Sequence, residues 1–88
     1  MDERPRLVSV NFRLASEELG LSVGVRLRQL DGRWMAVAHF DGEPEVGIGG
    51  SARTALAASL ASLGRRASAA LMADPELIGV SARISRPA

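Results

Sequence analysis

From Val8 onward apolar and polar residues trade places, Val8, Val10, Phe12 and Leu14 alternating with Ser9, Asn11 and Arg13. A period of two sends successive side chains to opposite faces of a pleated strand, so this stretch predicts a strand with one buried face. Residues 15–20 connect it to the next, with a short helical turn over Ser16-Glu17-Glu18-Leu19 that Ser16 caps and Gly20 ends. Val23, Val25 and Leu27 alternate with Ser22, Gly24, Arg26 and Arg28 and predict a second strand. Asp31-Gly32 follows, a pair suited to the two positive-φ positions of a type I′ hairpin turn. The third strand is then Arg33–Phe40, antiparallel to the second. It carries Trp34, Ala36, Ala38 and Phe40 on one face and Met35, Val37 and His39 on the other. Apolar residues on both faces mark a central strand. Asp41-Gly42 repeats the turn signal, and Val46 and Ile48 predict a short edge strand.

The period changes after the glycines. Ser51 is placed to N-cap a helix whose apolar stripe is Leu56, Leu60 and Leu63, at spacings of four and three. Gly64 either ends this helix in a left-handed cap or is passed by a helix running to Ala73 with Ala67 and Leu71 on the same stripe. A break or kink is favoured, because Arg65 and Arg66 beside it suit a helix C-terminus. Asp74-Pro75 closes the helical segment. Ile78, Val80, Ala82 and Ile84 alternate with Gly79, Ser81, Arg83 and Ser85, which favours a last strand over a competing short helix capped by Asp74 with Pro75 in its first position. The fold class is therefore α+β. It is a two-layer sandwich of a mostly antiparallel sheet of four to five strands and one main helix, kinked at Gly64, on one face. The expected core is Val10, Phe12, Val25, Leu27, Trp34, Ala36, Phe40, Leu56, Leu60, Leu63, Val80 and Ile84.

Length and composition narrow the function. Eighty-eight residues make a single domain, 1–88, with the charged, Pro5-bearing residues 1–6 as a loose N-terminus. There are only three aromatic residues, Trp34, Phe12 and Phe40, so aliphatic packing around them is expected to supply the core. The absence of cysteine removes disulfides, thiol chemistry and Cys-based zinc sites, and no apolar run is long enough to span a membrane, so the cytoplasm is the expected location. A net charge of +1 does not by itself call for a nucleic-acid partner. All eleven cationic residues are Arg, the side chain best shaped for bidentate phosphate or carboxylate contacts; in a chain so rich in Ala and Gly, biased codon usage explains this more simply.

Gly49, Gly50 and Ser51 before the helix, with Arg53 in its first turn, make a candidate anion site, since helix N-termini present free N–H groups. The run is neither a P-loop nor a dinucleotide fingerprint, and a flexible strand-to-helix connection is the simpler reading. His39, the only histidine, has no nucleophile placed beside it by any local motif and reads as a surface or partner-facing residue. Asp41, Glu43 and Glu45 lack the calcium-loop spacing and read as a solvated acidic loop. No cofactor or metal is expected. Arg13, Arg26, Arg28, His39 and Arg83 all fall on the face opposite the main core, and Met35 and Val37 share that face. Apolar residues ringed by arginines have the composition of a protein interface, which puts Met35, Val37, His39, Arg26 and Arg28 forward as candidate interface residues.

The segments "VRLRQLDGRWMAVAHFDG" and "VGIGGSARTALAASL" resemble the hairpin and helix of HicB-type antitoxin N-terminal domains. Gly50, Ser51 and Ala55 stand at that family's helix-start positions. The resemblance covers about half the chain and implies a partial ribonuclease-H-like fold with a protein partner. The helix start is also similar to that of double-stranded-RNA-binding domains, with Ser51, Arg53 and Ala55 in matching positions. The first functional expectation is a small non-enzymatic interaction module, a homodimer through the open sheet face, with a further protein partner in reserve. A nucleic-acid-binding domain using Arg26, Arg28 and Arg53 is the alternative. An enzyme or small-anion-binding protein with a Gly-rich helix N-terminus comes third.

Overall fold

The computed structural model describes residues 9–77 and 79–80. Four strands, β1 (Ser9–Ser16), β2 (Leu21–Leu30), β3 (Arg33–Phe40) and β4 (Glu43–Gly49), form one antiparallel sheet in the order β1-β2-β3-β4. Helix α1 (Ala52–Leu60), a 3-10 turn (Ala61–Leu63) and helix α2 (Arg65–Met72) follow. This is the α+β, two-layer architecture that the alternating pattern calls for.

The hairpin turns differ from each other. At Asp41-Gly42 both residues have positive φ, 48° and 82°, as a type I′ turn requires. At Asp31-Gly32 only Gly32 does, with φ 71°, so this turn is not the type I′ expected there. Between β1 and β2 the Ser16 hydroxyl accepts the Leu19 N–H at 3.3 Å and Gly20 N–H reaches the Glu17 carbonyl at 3.2 Å, the single capped turn foreseen for this stretch.

Helix α1 starts at Ser51, whose hydroxyl accepts the Thr54 N–H at 3.1 Å. Gly64 interrupts the helical run with φ 96° and ψ 161°, outside the left-handed cap region and in backbone space that only glycine enters freely. Its carbonyl accepts the Ser68 N–H at 3.0 Å, so the residue that ends one helical segment begins the next. Arg65 and Arg66 accordingly open α2 instead of closing α1.

The last strand is a correction. Residues 75–77 and 79–80 are helical, and the Asp74 carboxylate accepts the Glu76 N–H at 2.9 Å, an N-cap followed by Pro75 in the first helical position. The short-helix reading prevails because Asp74 and Pro75 stabilise a helix start through backbone bonds, whereas alternation here needs a sheet edge to join. Ile78, Ala82 and Ile84 lie outside the described residues.

The described helices pack on one sheet face, α1 over β3 and β4 and α2 against β1, and Leu77 after them joins the same core. Between the layers lie Leu14, Val23, Val25, Leu27, Ala36, Ala38, Ala55, Leu56, Leu60, Leu71 and Leu77, with Val80 also buried. Phe12, Trp34, Phe40 and Leu63, expected at the centre, pack around this cluster half-buried, and Val10 is half-buried too. The two-residue period gave the inward face correctly, but not how close the helix comes. Gly47 and Gly49 have no side chain on the face where α1 lies; a Cβ on Gly47 would overlap the Ala55 carbonyl and come 2.8 Å from the Ala58 carbonyl carbon, and one on Gly49 would come 2.7 Å from the Thr54 methyl. Ala36, Ala38 and Ala55 complete this small-residue seat. It brings the helix so near β3 and β4 that larger rings are pushed to the margins.

Candidate functional site

The sheet face away from the helices is the surface on which chemistry-bearing side chains collect. Strand register orders it into rows. Ser9, Arg28, Met35 and Ile48 lie opposite one another across the four strands; Asn11, Arg26, Val37 and Val46 form the next row, and Arg13, Gly24, His39 and Pro44 the third. The face is thus split lengthwise. Its β1–β2 half is polar and cationic, and its β3–β4 half carries an apolar strip, with exposed Arg33 and exposed His39 at the two ends of β3.

On the apolar half, Val46 and Ile48 are 57% and 54% exposed, the two large hydrophobic residues most open to solvent among the described residues. They flank Met35 and Val37, which are half-buried, so the four make one strip across the last two strands. No described element lies over it. β4 is also an edge strand, so the strip and an unpaired backbone edge border the same side of the molecule.

On the cationic half, Arg13 donates to the Ser22 hydroxyl at 3.2 Å and Arg26 Nε donates to Asn11 Oδ1 at 3.3 Å. Both acceptors are neutral, so these bonds orient the guanidinium groups without themselves neutralising them. His39 is exposed in the same row as Arg13, with Gly24 between them.

The structure brings together Met35, Val37, His39, Arg26 and Arg28, all expected on one face, and adds Val46, Ile48, Asn11 and Ser22 to it. Arg83 lies outside the described residues. Arg53 does not join the others: it is on α1, and the sheet stands between it and Arg26 and Arg28. The Gly49–Ser51 run has its own account. Gly49 lies against Thr54 in the helix seat, while the Ser51 hydroxyl is engaged with the Thr54 backbone and, at 2.8 Å, with its side-chain hydroxyl. Gly50 is exposed with open space around it. Among the described residues no three His, Asp or Glu side chains gather as a metal site would need, and no helix is long and apolar enough to cross a membrane. Val46 and Ile48 were legible only as an edge strand, because their membership of the open face follows from the seating of α1 over the alternate residues, Gly47 and Gly49. Comparison with protein-family models, with curated proteins and with solved structures gave no match.

Proposed function

We propose that this chain is a non-enzymatic protein-interaction module that self-associates through the β3–β4 half of its open sheet face. The observation that carries this reading is the exposure of Val46 and Ile48 beside Met35 and Val37, an apolar strip on a sheet whose described helices pack on the other side. A second copy is the occupant that the charge distribution favours. Overlap of two β3–β4 halves about a dyad sets the uncharged strips of Met35, Val37, Val46 and Ile48 against each other, with Arg33 at the rim, and leaves each copy's Arg13, Arg26 and Arg28 outside the contact, on opposite sides of the axis. The resemblance to HicB-type domains, which implies a protein partner, supports the same class of function.

Sedimentation velocity tests the reading. The wild-type chain is expected to sediment as a dimer at high micromolar concentration, and Val46→Glu, which places carboxylates near the dyad, to sediment as a folded monomer by circular dichroism. A wild-type monomer under those conditions overturns self-association.

A further inference from the structure

A depression of about 420 Å³ opens on the cationic half of the same face, at the end away from Met35 and Ile48. Its origin is Gly24. In the row Arg13, Gly24, His39 the middle position has no side chain, and a Cβ built there would meet nothing within 4 Å. Arg13, Arg26, Asn11 and His39 stand around the gap, and Phe12 and Val25, whose side chains belong to the helix face, contribute backbone to its floor. Two strand spacings separate Arg13 from His39, roughly 10 Å between their backbones. That spacing leaves room for a tetrahedral anion between the two side chains.

We propose that this depression binds the phosphate group of a small phosphate monoester. The chemistry follows from the walls. Arg13 and Arg26 come from neighbouring strands and are each steadied by a neutral hydrogen-bond partner, Ser22 for one and Asn11 for the other, so the pair is held without being neutralised. His39 adds a ring N–H from the third strand. Donor groups from three strands match the three terminal oxygens of a monoester, whereas a nucleic-acid backbone diester offers two. The residues that line the depression, Asn11, Arg13, Gly24, Arg26 and His39, lie outside the strip of Met35, Val37, Val46 and Ile48, so the site is tested separately from oligomeric state.

The test is a two-dimensional amide NMR titration of the full chain with inorganic phosphate, with adenosine 5′-monophosphate and with a short oligonucleotide lacking a terminal phosphate, at constant ionic strength. Inorganic phosphate and adenosine 5′-monophosphate are expected to produce saturable shifts at the Gly24 amide and at the Arg13 and Arg26 Nε–H signals. Sodium chloride at the same ionic strength should not. Gly24→Val fills the depression at a site with open space and ordinary strand geometry, so it should retain the wild-type melting temperature and weaken phosphate binding by about tenfold or more. Arg26→Gln should weaken it while leaving the amide spectrum otherwise intact. Absence of saturable shifts with phosphate and adenosine 5′-monophosphate, or undiminished binding by the folded Gly24→Val variant, would overturn the site. Tighter binding of the oligonucleotide than of the monoesters would overturn the monoester assignment in favour of a nucleic-acid surface.

Discussion

Backbone conformation at Gly64 decides where the helical layer bends. With φ 96° and ψ 161° and open space where a Cβ would project, a substitution there meets only the torsional cost of a side chain in that region. Gly64→Ala is expected to lower stability by about 1–3 kcal/mol in urea unfolding, whereas Gly24→Ala, in ordinary strand geometry and equally open space, should not lower it. Equal effects at the two positions would remove torsional strain as the reason for glycine at 64. Asp74 is the other residue whose role is local and double. Its Oδ1 accepts the Glu76 N–H at 2.9 Å and its Oδ2 accepts the Ala15 N–H at 2.8 Å, so one carboxylate caps the final helical turn and occupies an outward N–H of edge strand β1. Asp74→Ala is expected to cost about 1–2 kcal/mol, with Asp74→Asn retaining part of it, as measured by chemical denaturation. Residues of this kind are half legible in sequence: Asp-Pro announces a turn or a helix start, but the partner 59 residues away in β1 is invisible until the strand is placed.

Among the elements, α1 and β4 define each other. Gly47 is buried beneath the helix backbone, and the helix presents Ala55, Leu56, Ser59 and Leu60 to the sheet, with the Ser59 hydroxyl donating to the Leu56 carbonyl at 2.7 Å. A methyl group on Gly47 has no room unless α1 lifts, because what it meets is helix backbone rather than a flexible side-chain end. Gly47→Ala is therefore expected to destabilise the domain by about 1–3 kcal/mol or more, and Gly50→Ala, in open space three residues on, far less; thermal melts of the two variants distinguish them. A Gly47→Ala protein as stable as wild type would mean that the helix seat is looser than described. The strands, their antiparallel order and the α1 start were legible because alternation, Asp-Gly pairs and a Ser cap are local signals. The close seat was not: glycines before a helix look the same whether they cradle an anion, loosen a loop or admit a helix backbone. For the same reason Leu14, Val23, Ala38 and Leu71 were missed as core and the aromatic rings overweighted, since depth depends on where two layers approach and not on the size of one side chain.

At the scale of the whole molecule, two helices and the final helical turn share one sheet face, so the covered side is thicker than a single-helix reading allows and the apolar strip on the other side gains no cover from them. The sequence already pointed to this imbalance through Met35 and Val37 in a central strand; the outward turn of Val46 and Ile48 enlarges it to a strip spanning two strands. If a second copy covers that strip, folding and association are linked, and stability must depend on concentration. For a dimer well above its dissociation constant each tenfold rise in protein concentration contributes about 1.4 kcal/mol per dimer, which for a domain of this size raises the melting midpoint by roughly 3–5 °C. The wild-type chain is expected to show that rise across a hundredfold concentration series. Ile48→Glu removes an exposed side chain and none from the core, so its midpoint should be independent of concentration and should match wild type extrapolated to dilution. A wild-type midpoint that does not move with concentration, paired with a monomeric sedimentation profile, would detach the strip from self-association.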